Sequence, residues 1–146
     1  DLVDRARQAG SRIVYTQDWH HDEDLEFRIW PKHAVRETWG SQIVEELSPQ
    51  PGDLVIRKER YDAFYGTPLD HHLHLWGIRH LVVTGTVANI CVLHTAGSAA
   101  LRWYHVVIPE DCTSALTPFD KESTMRQVTF LYQGTVVPSG KDIVFV

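Results

Sequence analysis

The chain has 146 residues, 43% of them hydrophobic and 23% charged, with a net charge of −5. This length suits a single domain over residues 1–146 with a real core, and the composition excludes disordered and collagen-like classes. The acidic balance argues against a nucleic-acid partner, no apolar run approaches the ~20 residues of a membrane span, and two cysteines make no disulfide framework; a soluble, cytoplasmic domain is expected.

In chain order, Leu2, Val3 and Ala6 have helical spacing, and Gly10 reads as the stop. Arg12–Thr16 is a β-rich run. Asp18–Gly40 has no sustained period and reads as a long loop, of the kind that is usually functional or disordered. Trp19, Trp30 and Trp39 in that loop favour a packed one. Ile43, Val44 and Leu47 suggest a short helix ended by Pro49 and Pro51. Leu54–Lys58 is the next strand. Leu69, Leu73 and Trp76 mark a helix stopped by Gly77, and His80–Gly85 is an apolar strand of the buried parallel kind. Cys91–Trp103 is a helix rich in small residues (Ala96, Gly97, Ser98, Ala99, Ala100), suited to close packing on a sheet. His105–Pro109 is a strand, Asp120–Leu131 a helix, Thr135–Val137 a strand, and Ile143–Val146 a last strand or a tail. Strands alternating with helices predict an α/β fold: a mainly parallel sheet between two helical layers.

In such sheets ligands bind outside the carboxyl ends of the strands. Here those ends are Asp18, Lys58, the Gly85–Cys91 turn and Asp111. A thiol at a helix start feels the positive end of the dipole, so Cys91 is a candidate nucleophile; the plainer reading is a small buried apolar residue. That plainer reading suits Cys112 better. Lys58 could hold a carboxylate or a thiolate, stabilise developing negative charge, or be a solvated strand-end lysine. Asp18 and His20, two apart in an extended segment, face the same way, and His33 can return to them from the loop. Oxygen and imidazole donors suit Zn, Mn or Fe, with Asp24 or Glu26 available to complete the shell. The same residues could instead be a solvated acidic loop. His71, His72 and His74 read as a solvated helix face.

Together these motifs resemble the isochorismatase-like cysteine hydrolases, and within them the nicotinamidase branch. Thr84-Gly85-Thr86-Val87-Ala88-Asn89-Ile90-Cys91-Val92, followed by Thr95-Ala96 and Ala99, is similar to the family's nucleophile turn and helix. Lys58-Glu59-Arg60-Tyr61-Asp62-Ala63-Phe64, with Thr67 and Leu69, resembles the segment of its catalytic lysine. Asp18-Trp19-His20, Phe27 and Trp30-Pro31-Lys32-His33 resemble the nicotinamidase metal loop.

The resemblance implies that Cys91 attacks an amide carbonyl to give a thioester, with Lys58 supporting the thiolate. Backbone N–H groups near Val87 and Cys91 would hold the oxyanion, the first aimed by a cis Thr86–Val87 peptide. It implies a divalent metal, zinc or alternatively iron or manganese, on Asp18, His20, His33 and Asp24 (or Glu26). Asp24 stands where many nicotinamidases carry a further histidine. Trp30, Tyr61 and Phe64 are candidates for an aromatic wall, and each could equally be a core residue. The family's catalytic aspartate ends an N-terminal strand, but nothing upstream of Ser11 reads as a strand, and Asp1 and Asp4 read as helix residues. The chain is therefore expected to be N-terminally truncated relative to the family. A homo-oligomer and a small amide substrate are implied as well. Three functions follow in order: a metal-assisted nicotinamidase, a metal-independent hydrolase of another small amide, ureide or carbamoyl compound, and a non-catalytic metal-binding or interaction domain.

Overall fold

The computed structural model describes residues 2–145, and within them parallel strands and helices alternate. Helix α1 (Leu2–Gln8) leads into strand β1 (Val14–Asp18), which pairs in parallel with β2 (Leu54–Lys58). Helix α2 (Leu69–Leu75) precedes β3 (His80–Val82), β4 (Gly85–Thr86), α3 (Leu93–Leu101), β5 (His105–Pro109) and β6 (Thr113–Ser114). Helix α4 (Pro118–Phe130) and strand β7 (Thr135–Val137) follow. The ladders form three parallel groups: β1 with β2, β3–β5–β7, and the short pair β4 with β6. The α/β class and the parallel pairing expected from the alternation are present.

No ladder joins β1–β2 to β3–β5–β7 among the described residues, yet both groups feed one apolar core. Ile56 of β2 is buried in the same cluster as Val106 and Ile108 of β5, Val92, Ala96 and Ala99 beside or within α3, and Val128 of α4, with Val14 and Leu54 packed against it. Burying the valine and isoleucine side chains among these stabilises the fold by roughly 1.5–3 kcal/mol each. The exposed surface is 9370 Å², above the ~7,600 Å² that scaling gives for a folded chain of this mass.

Several boundaries differ from the sequence reading, each for a local reason. The first strand lies at Val14–Asp18 rather than Arg12–Thr16, because its ladder pairs Val14 with Leu54 and Asp18 with Lys58. The segment after Ile43 forms one 3₁₀ turn, Glu45–Leu47, instead of a helix. Val44 and Leu47 are exposed there, so no tertiary packing offsets the cost of nucleating so short a helix. The strand expected to run to Gly85 stops at Val82, and Gly85–Thr86 then pairs with Thr113–Ser114 instead. Gly85 has φ +114°, a backbone conformation that side chains disfavour. Helix α4 starts at Pro118: Thr117 caps it by accepting from the Asp120 amide at 3.2 Å, and proline is suited to the first turn. Near the C-terminus, Ser139 and Asp142 form a reciprocal capping box around the 3₁₀ turn Gly140–Asp142, and Ile143 is buried without joining a strand. Val146, the end of the expected last strand, lies outside the described residues.

Asp111, noted as a strand-end carboxylate, holds this turn. It accepts from the Ser139 hydroxyl at 2.6 Å and the Gly140 amide at 2.7 Å, and these bonds lower its pKa. Cys112 beside it is half-buried, and burial raises its thiol pKa. His71, His72 and His74 do not gather into a ligand group among the described residues; His74 instead meets the Tyr104 hydroxyl at 3.0 Å.

Candidate active site

Two strand ends and one turn converge on a cavity of about 240 Å³. Parallel register sets Asp18 opposite Lys58 at the carboxyl ends of β1 and β2. From the β4–β6 pair, β4 enters the cis Thr86–Val87 peptide, the peptide that the resemblance implied would be cis. The chain then makes a π-helical turn, Ala88–Val92, so Cys91 sits just ahead of α3 rather than in its first turn.

The Lys58 side chain is buried, with its Nζ bonded to the Asp18 carboxylate, 3.1 Å from the Arg60 carbonyl and 3.5 Å from Cys91 Sγ. A buried ammonium needs such partners, because an unpaired one is costly to desolvate. Asp18 therefore serves the lysine as well as the loop. Sequence reading placed Asp18 only among metal ligands; the signal for its second partner was the register of two strands that both end at the cavity.

Burial raises the Cys91 thiol pKa above its ordinary value, against the pull of the Lys58 charge; Asp18 adds to the rise, while the Lys58 bond and the Val87 amide lower it. This corrects the helix-dipole expectation of a depressed thiol. The turn sets Cys91 outside α3, and the loss of hydration outweighs the ammonium.

The metal-loop residues come together in part. Ligand atoms of Asp18, His20 and His33 all lie within 4.8 Å of one another. His20 is 1% exposed, while His33 is exposed. Each ring bonds an acceptor through Nδ1: His20 to Asp24 Oδ2 at 3.0 Å, His33 to the Pro31 carbonyl at 2.8 Å. Carboxylate and carbonyl oxygens only accept, so Nδ1 carries the proton in both rings and, in the neutral imidazole, Nε2 keeps the lone pair. One carboxylate and two such nitrogens are a donor set that fits a divalent ion of the zinc, iron or manganese type.

Asp24 does not join the group. Its carboxylate caps the 3₁₀ turn Leu25–Arg28 by accepting from the Glu26 amide at 2.9 Å, and it also takes His20 and Arg60. Burial alone would raise its pKa, but those bonds and the Arg60 charge outweigh it and hold the carboxyl far below the usual range. Glu26, the other proposed fourth ligand, is buried with Oε1 3.9 Å from His20 Nε2 and Oε2 3.7 Å from Arg60.

Of the three candidate wall aromatics, Phe64 takes the core alternative. Phe64 is a core residue stacked on Tyr104, and Trp30 Nε1 donates to the Tyr61 hydroxyl at 2.7 Å. None of Trp30, Tyr61 and Phe64 lines the cavity. Its walls are Thr16, Gln17, Asp18, Ala34, Gly40, Ser41, Gln42, Ile43, Lys58, Thr86 and Cys91. The polar members Gln17, Ser41 and Gln42 gave no sequence signal, because the loop brings them there only by folding back: Gln17 donates to the Ser41 carbonyl at 2.6 Å. The lysine segment is anchored on α3, with Ser98 donating to Asp62 and the Ala63 amide to Thr95 at 3.0 Å.

The isochorismatase domain family matches residues 1–140. The chain belongs to this hydrolase family. It is 35% identical over 148 aligned positions to the ureidoacrylate amidohydrolase RutB of Methylorubrum extorquens, covering 86% of this chain and 60% of that protein. The chain thus spans about 60% of the length of that curated relative. Among solved structures, N-carbamoylsarcosine amidase of Thermoplasma acidophilum superposes with a TM-score of 0.89 at 36% identity, over 97% of this chain and 80% of that one. A nicotinamidase of Bacillus subtilis gives 0.87 at 28% identity, over 93% and 80%.

Proposed function

We propose that this domain hydrolyses the C–N bond of a small carbamoyl- or ureido-type amide through a covalent S-acyl (thiocarbamate) adduct on Cys91. The observation that carries this reading is the buried Lys58 ammonium between the Cys91 sulfur and the Asp18 carboxylate at a small cavity. Amide-bearing and hydroxyl side chains line that cavity and suit a compact polar substrate, and the ureidoacrylate and carbamoyl relatives support the same class.

In this reading Cys91 Sγ attacks the carbonyl carbon, forming a C–S bond. The thiol proton passes to Lys58 as Lys58 gives one to Asp18, so the lysine remains an ammonium beside the developing negative charge. The Val87 and Cys91 amides hold the oxyanion. Collapse of the tetrahedral adduct breaks the C–N bond, and the proton held at Asp18 returns through Lys58 to the leaving nitrogen. Water then cleaves the S-acyl adduct, releasing the carbamic acid and restoring the thiol.

Asp18, His20 and His33 would hold a divalent ion, which would supply Lewis acidity and orient substrate or water at the cavity edge. That group favours a second reading, nicotinamide as substrate, its ring nitrogen being a ligand of the kind such a site accepts.

Ammonia release from an N-carbamoyl amino acid, a ureido acid and nicotinamide, each with and without chelator, separates the two. The primary reading expects turnover of the first two, abolished by Cys91→Ala. Preference for nicotinamide that is lost on chelation would replace it with the second.

A further inference from the structure

Among the groups the hydrolytic reading leaves unused are the buried carboxylates Asp24 and Glu26 behind His20, with the partly exposed Arg60 beside them. Asp24 and Glu26 have side chains only 2% and 6% exposed. Two buried carboxylates so close together need a cation, and the sequence supplies one from the segment after β2: Arg60 Nη1 stands 3.0 Å from both Asp24 oxygens and 3.7 Å from Glu26 Oε2. Each Asp24 oxygen is already shared, Oδ1 with the Glu26 amide and Oδ2 with His20 Nδ1. A carboxylate so committed has little to offer an ion, yet it faces the one nitrogen of His20 that must carry a proton if the other is to bind metal.

We propose that Asp24 is a positioning residue rather than a metal ligand: it fixes His20 with its Nε2 lone pair turned to a three-residue cation site with Asp18 and His33, and Arg60 is the resident counter-charge that keeps Asp24 and Glu26 out of the ligand set. This rests on reading Asp18, His20 and His33 as a cation site and not on which amide is hydrolysed. The physical consequence is an ion with three protein ligands and open positions toward the cavity. A carboxylate behind a ligating imidazole raises its basicity and holds its orientation, and its loss typically weakens metal binding ~10–100-fold.

Titration of the protein with cobalt(II) alone, followed by its visible ligand-field bands and by calorimetry, tests the assignment. The wild type should bind one ion and His33→Ala should lose it. Asp24→Asn should bind ~10–100-fold more weakly with its bands unmoved, because the ligands themselves are intact. Asp24→Glu should recover part of the affinity, which a merely structural role would not require. Bands that shift in Asp24→Asn would make Asp24 a ligand, and unchanged affinity would remove it from the site; either overturns the proposal. Arg60→Gln keeps the test alive if Asp24→Asn fails to fold. Removing a positive charge beside the site should tighten cobalt binding several-fold, and weaker or unaltered binding would overturn the counter-charge role. A wild type that binds no cobalt would sink the cation site, whereas the Cys91 assay would still stand or fall on its own.

Discussion

The two larger groups of strands carry different burdens. The β3–β5–β7 group is built from apolar contacts: Val106, Ile108 and Val128 are almost wholly buried, and the small residues of α3 let it lie close to β5. Gly97 likewise lets α3 approach the segment after α4, since a Cβ there would come 2.7 Å from the Tyr132 hydroxyl. The β1–β2 group and its loop are built from charge, with Asp18, Lys58, His20, Asp24, Glu26 and Arg60 linked in one region. Apolar packing positions a backbone without demanding particular partners. A buried polar network fixes side-chain atoms to tenths of an ångström and fails when one partner is missing. The thiol arrives on the turn between β4 and α3 and its charged surroundings come from β1, β2 and their loop, so the candidate site depends on their meeting.

This contrast can be broken most sharply at Cys91. Cys91→Ala should reduce amide hydrolysis to background while leaving the melting temperature nearly unchanged; retained turnover in a steady-state ammonia assay would remove the S-acyl adduct from the mechanism. Lys58→Met should come next, costing ~10²–10⁴-fold in kcat because the proton relay and the supporting charge go together.

On the apolar side, Ile108→Ala should cost about 2–5 kcal/mol of stability, read by denaturant unfolding, with activity per folded molecule retained. A large loss of specific activity in that variant would show that the two groups are not separable. Asp24→Asn should destabilise by about 1.5–3 kcal/mol at neutral pH, the range for hydrogen bonds to charged groups. The sign follows from the depressed carboxyl: its stabilisation is full above the unfolded pKa of ~4 and is lost as pH falls from there toward the folded value. The gap between variant and wild type should therefore shrink below ~pH 4, and a gap constant down to pH ~2 would contradict it.

The smallest expected effect is on thiol reactivity. Burial raises the Cys91 pKa, so iodoacetamide labelling should rise through alkaline pH with a midpoint above that of an ordinary thiol. Lys58→Met should move that midpoint higher still, because it removes a cation that favours the thiolate. A midpoint near neutrality in the wild type would mean that the charged surroundings outweigh burial after all.

Much of this was legible in the residues. Leu54–Lys58 and His105–Pro109 were strands because short β-rich runs admit little else, and the family followed from the Gly85–Cys91 turn, the Lys58 segment and the Asp18–His33 loop. The nicotinamidase branch was a finer reading than the relatives support, since the ureido and carbamoyl hydrolases match at 35% and 36% identity and the nicotinamidase at 28%. Its motif was carried by the loop, and a loop motif specifies which residues are near one another, not which atoms face the ion.

The length, charge and alternation of elements established an α/β domain with useful groups at its strand ends, because hydrophobic period and turn chemistry are local properties. Only the tertiary structure decided what each group does. Parallel register gave Asp18 to Lys58, burial raised the thiol's pKa against the Lys58 charge, and Arg60, from the segment after β2, took Asp24. Those are long-range electrostatic partnerships, and the chain order of the residues does not encode their distances.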